Sequence, residues 1–360
     1  MGTSPTKALT AVAALALAGA AFAVTPASAN QPGDEFAGQS HPYRHGVVMA
    51  KGVTNNAVHR TSNLKFGGNV DGIGVTTGPE KVYLVFLGSQ WGTQGTDANG
   101  YTTLSGDPQG IAVRAQQLFK GLGTNGETWS GVMTQYCQGV ATGATSCPST
   151  AAHVGYPTGG ALAGVWLDNS AAAPSQATGN QLATEAVKAA GHFGNTTAAA
   201  NRNVQYVIMS PTGTHPDGFN TSTGQFCAWH DWNGDTTLSG GAAASPYGDV
   251  AFTNDPYVTD MGTSCGQNYV NAGSAGTLDG VTMVYGHEYA ETVTDQNPAG
   301  GWTDSSGQEN ADKCAWKGTG GVGGSQNVTF ATGSFAMQGT WANDYNGGAG
   351  GCEISHPIVP

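Results

Sequence analysis

Three runs of β-branched and aromatic residues constrain the fold of this 360-residue chain more than any other feature. KVYLVFLG (81–88), LAGVWLDN (162–169) and VQYVIMSP (204–211) each read as a buried strand bounded by turn residues. Helical patterns separate them. In DPQGIAVRAQQLFKGLG (107–123), Asp107 is placed to cap, Pro108 fits a first turn, and Ile111, Val113, Leu118 and Leu122 supply apolar positions. NQLATEAVKAAG (180–191) is the second helix. Strands that alternate with helices need crossover connections, so the sequence predicts an α/β fold with part of its sheet parallel. A short strand is expected near 250–253. With 57 glycines and only 10% charged residues, the rest reads as long Gly-rich loops around a single large domain with a mixed sheet and flanking helices, over 79–360.

The chain's first residues predict export. Lys7 precedes an almost unbroken apolar run over 8–24, followed by Ala27-Ser28-Ala29, the pattern of a signal peptide (1–29) cut before Asn30. At about 17 residues the run is short for a membrane span. Residues 30–78 lack a sustained period and are expected to form an arm, a propeptide or a linker. Loss of Lys7 leaves 11 basic residues (12 less one) against 24 acidic, a net charge of -13, which argues against nucleic acid or an anionic membrane as partner. Six cysteines without a CxxC pair, in an exported chain, predict three disulfides, with sequence neighbours paired: 137 with 147, 227 with 265 and 314 with 352.

Charge is concentrated where the chemistry is expected. YGHEYAETVTDQNPAGGWTDSSGQENADKCAW (285–316) holds Glu288, Glu291, Asp295, Asp304, Glu309 and Asp312, six of the 24 acidic residues. TLDGVTMVYGHEYAETVTD (277–295) predicts a helix, with Thr277 or Asp279 as cap and Asn297-Pro298 beyond its end. On it Val284, His287, Glu288 and Glu291 fall at i, i+3, i+4 and i+7, one face. An imidazole and a carboxylate one turn apart can share a metal at ~2.0 to 2.2 Å. Glu288 would then lie beside the metal, as in H-E-x-x-H metallopeptidases, where that Glu is general base toward an activated water. Here the second His is replaced by Glu291, giving a zincin-like helix of the form H-E-x-x-E.

Glu309, 18 residues after Glu291, resembles the downstream glutamate that completes a gluzincin site. Asp312 is the alternative third ligand and Asp304 a further competitor. His287, Glu291 and Glu309 would leave a fourth position for water, as a catalytic zinc requires. Two carboxylates and an imidazole also accept Mn or Ca. The plain alternative is an ordinary helical His–Glu ion pair.

Other candidates are weaker. In THPDGFNTSTGQFCAWHDWNGD (214–235), His230 is a candidate donor to a transition state, or a structural His between tryptophans; His215 is a lesser candidate. Asp231, Asn233 and Asp235 alternate like the start of a calcium loop, but Thr236 replaces the required Gly and no Glu closes the loop, leaving an irregular Ca site or a solvated turn. No G-x-S-x-G follows a strand, and the Gly-rich stretches lack G-x-x-x-x-G-K. Trp229, Trp232, Trp302, Trp316 and Trp341 are expected mostly in the core, with one or two flooring a sugar or peptide cleft.

In VYLVFLGSQWG, VQYVIMSPTGTHPDGFNTSTGQFCAWH, HEYAETVTDQNPAGGW and FAMQGTWANDYNGGAGGCEI, the chain from about Gly67 onward resembles the exordium-like (phosphate-induced) family of secreted proteins. The resemblance implies an extracellular, cell-wall-associated α/β protein, and does not by itself imply an enzyme. The plant branch lacks His and Glu at the positions of His287 and Glu288; this chain is similar to the microbial branch that bears them. Two functions are therefore expected. One is a secreted, monomeric zinc metallopeptidase-like hydrolase acting on a polypeptide, with Glu288 as base and His230 steadying the oxyanion. The other is a non-catalytic extracellular protein that binds the cell wall or a glycan.

Overall fold

The predicted strands lie side by side. β3 (Lys81–Leu87) pairs in parallel with β4 (Leu162–Asp168) on one side and β5 (Val204–Met209) on the other, and β5 pairs in parallel with β7 (Ala251–Asp255). Two antiparallel strands extend the sheet, β6 (Phe226–Trp232) and, at its edge, β1 (His45–Met49), giving the order β1-β6-β7-β5-β3-β4. The mixed sheet agrees with the sequence reading. The computed structural model describes residues 1–2, 45–53 and 62–360, and those from 45 onward group as one unit. The expected signal segment falls outside the described residues apart from Met1 and Gly2.

Part of the early stretch forms strands. His45–Met49 and β2 (Lys65–Gly68), which pairs with β8 (Gly301–Thr303), lie within the stretch assigned to an arm. The reason is local: Val47, Val48, Met49 and Ala50 form a run too short to show a period, yet all four are buried.

Helices cover both faces of the sheet. α2 (Gly179–His192) packs on β5, β3 and β7 through Leu182, Ala183, Ala186 and Ala190, and starts at a Thr178–Gln181 capping box. α1 (Ile111–Gly121) and α3 (Asp279–Thr294) share the opposite core with Leu84, Phe86 and Val207. Asp107 accepts hydrogen bonds from Gly110, Ile111 and Ala112 N–H, supporting the start of α1 as its position suggested. Neither Thr277 nor Asp279 caps α3, whose N-cap is Leu278; Asp279 instead accepts hydrogen bonds from Val270 and Asn271.

Every residue of α3 is buried. It lies between the sheet and a hairpin of β9 (Gln326–Phe330) and β10 (Gly333–Met337), and it also touches α1, β6 and β1. A helix enclosed on all sides must find partners for its charged groups inside the protein. This decides where chemistry is possible.

The six cysteines pair as sequence neighbours, Cys137–Cys147, Cys227–Cys265 and Cys314–Cys352, as expected. Trp229, Trp302 and Trp341 are core residues, while Trp232 and Trp316 are partly buried. Among the described residues no helix is long and apolar enough to cross a membrane.

Candidate metal centre

Leu84, Val207, Thr253 and His230 stand in register across β3, β5, β7 and β6. Residues directly opposite in a sheet share a face, so this row carries His230 toward α3. From α3, His287 and Glu291 project together, as the i, i+4 spacing predicts. The loop after β8 supplies Glu309 and Asp312. It is held down by the Cys314–Cys352 disulfide, by Asn310 Nδ2 donating to Ala290 O at 3.1 Å, and by Lys313 Nζ on Asp304 Oδ2 at 2.9 Å. Asp304 is thereby committed to the loop, its Oδ1 accepting from Ser306 and Gln308 N–H.

His287 Nε2 lies 3.0 Å from Glu291 Oε1 and 3.5 Å from Asp312 Oδ1. Donor atoms around a tetrahedral ion at ~2.1 Å stand about 3.4 Å apart, so these separations suit a shared cation. Despite the close approach, Nε2 makes no aligned hydrogen bond. The other ring nitrogen, Nδ1, is 3.2 Å from Gln338 Oε1, and Gln338 Nε2 donates to Ala311 O at 2.8 Å. That fixes Oε1 as the acceptor and Nδ1 as its donor, so the imidazole, when neutral, turns its Nε2 lone pair toward the two carboxylates. Burial opposes charge on His287, but Glu291, Asp312 and Glu288 outweigh it and hold its pKa well above the ordinary imidazole range. Burial, reinforced by Asp312, pushes Glu291 up to about 7. The space between these groups attracts positive charge, a proton or a metal ion.

Glu288 is fully buried and neither carboxylate oxygen has a hydrogen-bond partner. Burial raises its pKa well above the carboxylate range; His287 opposes the shift, and Glu291 and Asp255 add to it. Asp255, at the end of β7, and the Tyr285 hydroxyl are likewise buried and unpartnered.

The two candidate third ligands fall in different groups. Asp312, the alternative, joins His287 and Glu291, whereas Glu309 converges with His230 and Glu291. The cause is a 3-10 turn over Asp312–Cys314 whose Asp312 N–H donates to Glu291 Oε1 at 2.8 Å, drawing Asp312 to the helix. His230 Nε2 lies 3.3 Å from both Glu309 oxygens and 3.9 Å from Glu291 Oε2. It is fully buried, with Glu309 beside it. Burial, with His45 and His287, holds the His230 pKa well below its usual value; burial, with Asp295 and Glu291, raises that of Glu309.

Three contributors escaped the sequence reading. Gln338 lies in a hairpin-to-strand turn with no periodic signal, and Asp255 ends a strand whose two faces are both buried. Gly46 belongs to the stretch read as an arm. It has φ +50°, and a Cβ built on it would stand 2.3 Å from His230 Nε2 and 2.3 Å from Glu291 Oε2.

The remaining candidates have partners of their own. His215 Nδ1 bonds Phe219 O at 2.9 Å. Asn233 donates its amide Nδ2 to Ala243 O, and its Oδ1 accepts from Val250 N–H. Asp235 pairs with His45 at 3.1 Å and shares a cluster with Asp231. Clefts of about 450 Å³, beside Tyr136 and Asn343, and about 550 Å³, beside Arg114 and Ser334, share no lining residue with the His287 group. No protein-family model, curated protein or solved structure matches the chain.

Proposed function

We propose that the protein is an exported, metal-dependent hydrolase of the peptidase type. His287, Glu291 and Asp312 would hold zinc, with Glu288 as general base. The observation that carries this reading is the convergence of His287 Nε2 with two carboxylate oxygens at 3.0 and 3.5 Å, beside the unpartnered carboxylate of Glu288. An ion held there would polarise a substrate carbonyl and make a water easier to deprotonate. Gln338 orients the imidazole, and the Asp312 N–H orients Glu291. In its ionised form, Glu288 would take a proton from water and pass it to a leaving amine. The apolar run ahead of Ala27-Ser28-Ala29, the three disulfides and the exordium-like segments support an extracellular setting.

A second reading is favoured by burial. His287, Glu288 and Glu291 are 0% exposed, and only the Asp312 side chain, 16% exposed, reaches solvent. A closed site suits a structural ion in a non-catalytic wall- or glycan-binding protein. Metal analysis and peptide cleavage separate the two. The hydrolase reading expects stoichiometric zinc lost in His287→Ala, and cleavage lost in Glu288→Gln with zinc retained. Zinc without any cleavage of casein or peptide libraries selects the structural role.

A further inference from the structure

We infer that the centre holds two cations, and that Glu291 bridges them. The second ion would take His230 Nε2, Glu309 and Oε2 of Glu291; the bridge, though not this ion itself, rests on the assignment of His287, Glu291 and Asp312 to the first.

Glu291 divides its carboxylate between two imidazoles. Oε1 faces His287 at 3.0 Å, and Oε2 faces His230 at 3.9 Å. Oε1 also accepts the Asp312 N–H, but Oε2 is buried with no hydrogen-bond donor. A neutral hydrogen bond between His230 and a protonated Glu309 would account for their 3.3 Å contacts, yet it leaves Oε2 unsatisfied. A cation satisfies all three groups. The equal distances from Nε2 to both Glu309 oxygens suit an imidazole and a carboxylate sharing an ion, and an imidazole with two carboxylates favours zinc or manganese.

Charge and space agree. Glu288, Glu291, Asp295 and Glu309 are at most 1% exposed, Asp312 adds a fifth carboxylate, and the buried ammonium of this loop, Lys313, is bound to Asp304. Gly46 keeps clear the space between His230 Nε2 and Glu291 Oε2 that a side chain would occupy. Paired ions in hydrolytic centres stand about 3.5 to 4 Å apart, within the span of one bridging carboxylate.

The test is metal stoichiometry of the full-length protein loaded with Zn²⁺, set beside peptide cleavage. Two equivalents are expected in the wild type, and one in His230→Gln and in Glu309→Gln, with His287→Ala losing the other. Loaded with Mn²⁺, the unmutated protein should give the electron paramagnetic resonance spectrum of an exchange-coupled pair, a readout independent of whether any variant folds. A wild type that binds only one equivalent, retained in both the His230 and Glu309 variants, overturns the second ion and leaves the hydrolase reading intact. One equivalent lost with His230 but kept in His287→Ala supports this ion and removes both the bridge and the hydrolase reading. Two isolated manganese signals overturn the bridge.

Discussion

Gly46 and Glu291 meet so closely that the first β-carbon of any other residue at position 46 would lie 2.3 Å from Glu291 Oε2. Gly46, on strand β1 and 245 residues earlier in the chain (291 less 46), thus closes one side of the acidic centre. Gly46→Ala should lose bound metal and destabilise the fold by more than the ~1 to 3 kcal/mol of its positive φ alone. Gly52, with φ +86° and nothing within 4 Å, isolates the backbone term. Equal destabilisation of both alanine variants in urea, with metal content unchanged, would remove Gly46 from the site.

Gln338 should control metal affinity without touching the metal. Gln338→Leu removes the acceptor for His287 Nδ1 and frees the ring to change tautomer. A loss of about 10- to 100-fold in zinc affinity is expected, read by competition with a chromophoric chelator. Unchanged affinity would show that ring orientation is set by packing alone.

Metal uptake should release protons and weaken in acid. In the metal-free protein His287 keeps its proton to a pH above its ordinary value, and Glu291 to about 7. A cation must displace those protons. Affinity therefore rises with pH through the neutral range, by about tenfold per unit for each proton displaced. Calorimetry in buffers of different ionisation enthalpy measures the release; a buffer-independent heat contradicts the expectation.

Glu80 provides a stability test away from the centre. It is 3% exposed, and burial, weakened by Thr76 and Arg202, pushes its pKa from 4.5 up to about 8. A raised folded-state pKa gives stability that is complete below 4.5 and lost as pH rises through about 8. The loss has a limiting slope of about 1.4 kcal/mol per pH unit. Glu80→Gln should flatten this decline, so its advantage over the wild type grows between pH 5 and 8 in urea titrations. Parallel stability curves would refute it.

The Cys314–Cys352 disulfide closes 38 residues around the loop that carries Glu309 and Asp312. Replacing both cysteines with serine should cost about 4 kcal/mol by loop entropy and reduce zinc occupancy. The Cys137–Cys147 pair closes only 10 residues and bears no candidate ligand, so its removal should cost less and spare the metal.

The sequence made the parallel centre of the sheet legible because strands buried on both faces are written as continuous runs such as VYLVF. The same property hid His230: FCAWHDW is buried on nearly every side, so no alternation marks which face His230 serves. Helix α3 was legible from its length and from the Asn-Pro beyond it, and the His287–Glu291 pairing follows from helical geometry alone. Glu309 and Asp312 are three residues apart in one loop, and spacing could not choose between them. The choice lies in a single backbone hydrogen bond from Asp312 to Glu291. Gly46 was hidden because its strand has only five residues and is interrupted by a register shift.

The placement of β1 has a kinetic consequence. Until His45–Met49 docks, β6 is a bare sheet edge, although 176 residues (226 less 50) separate the end of one strand from the start of the other. Closing so long a loop slows folding, and an unpaired edge invites pairing with other chains. Refolding should therefore lose yield to aggregation at high protein concentration, and a soluble peptide copying the first strand should rescue it by covering the exposed edge.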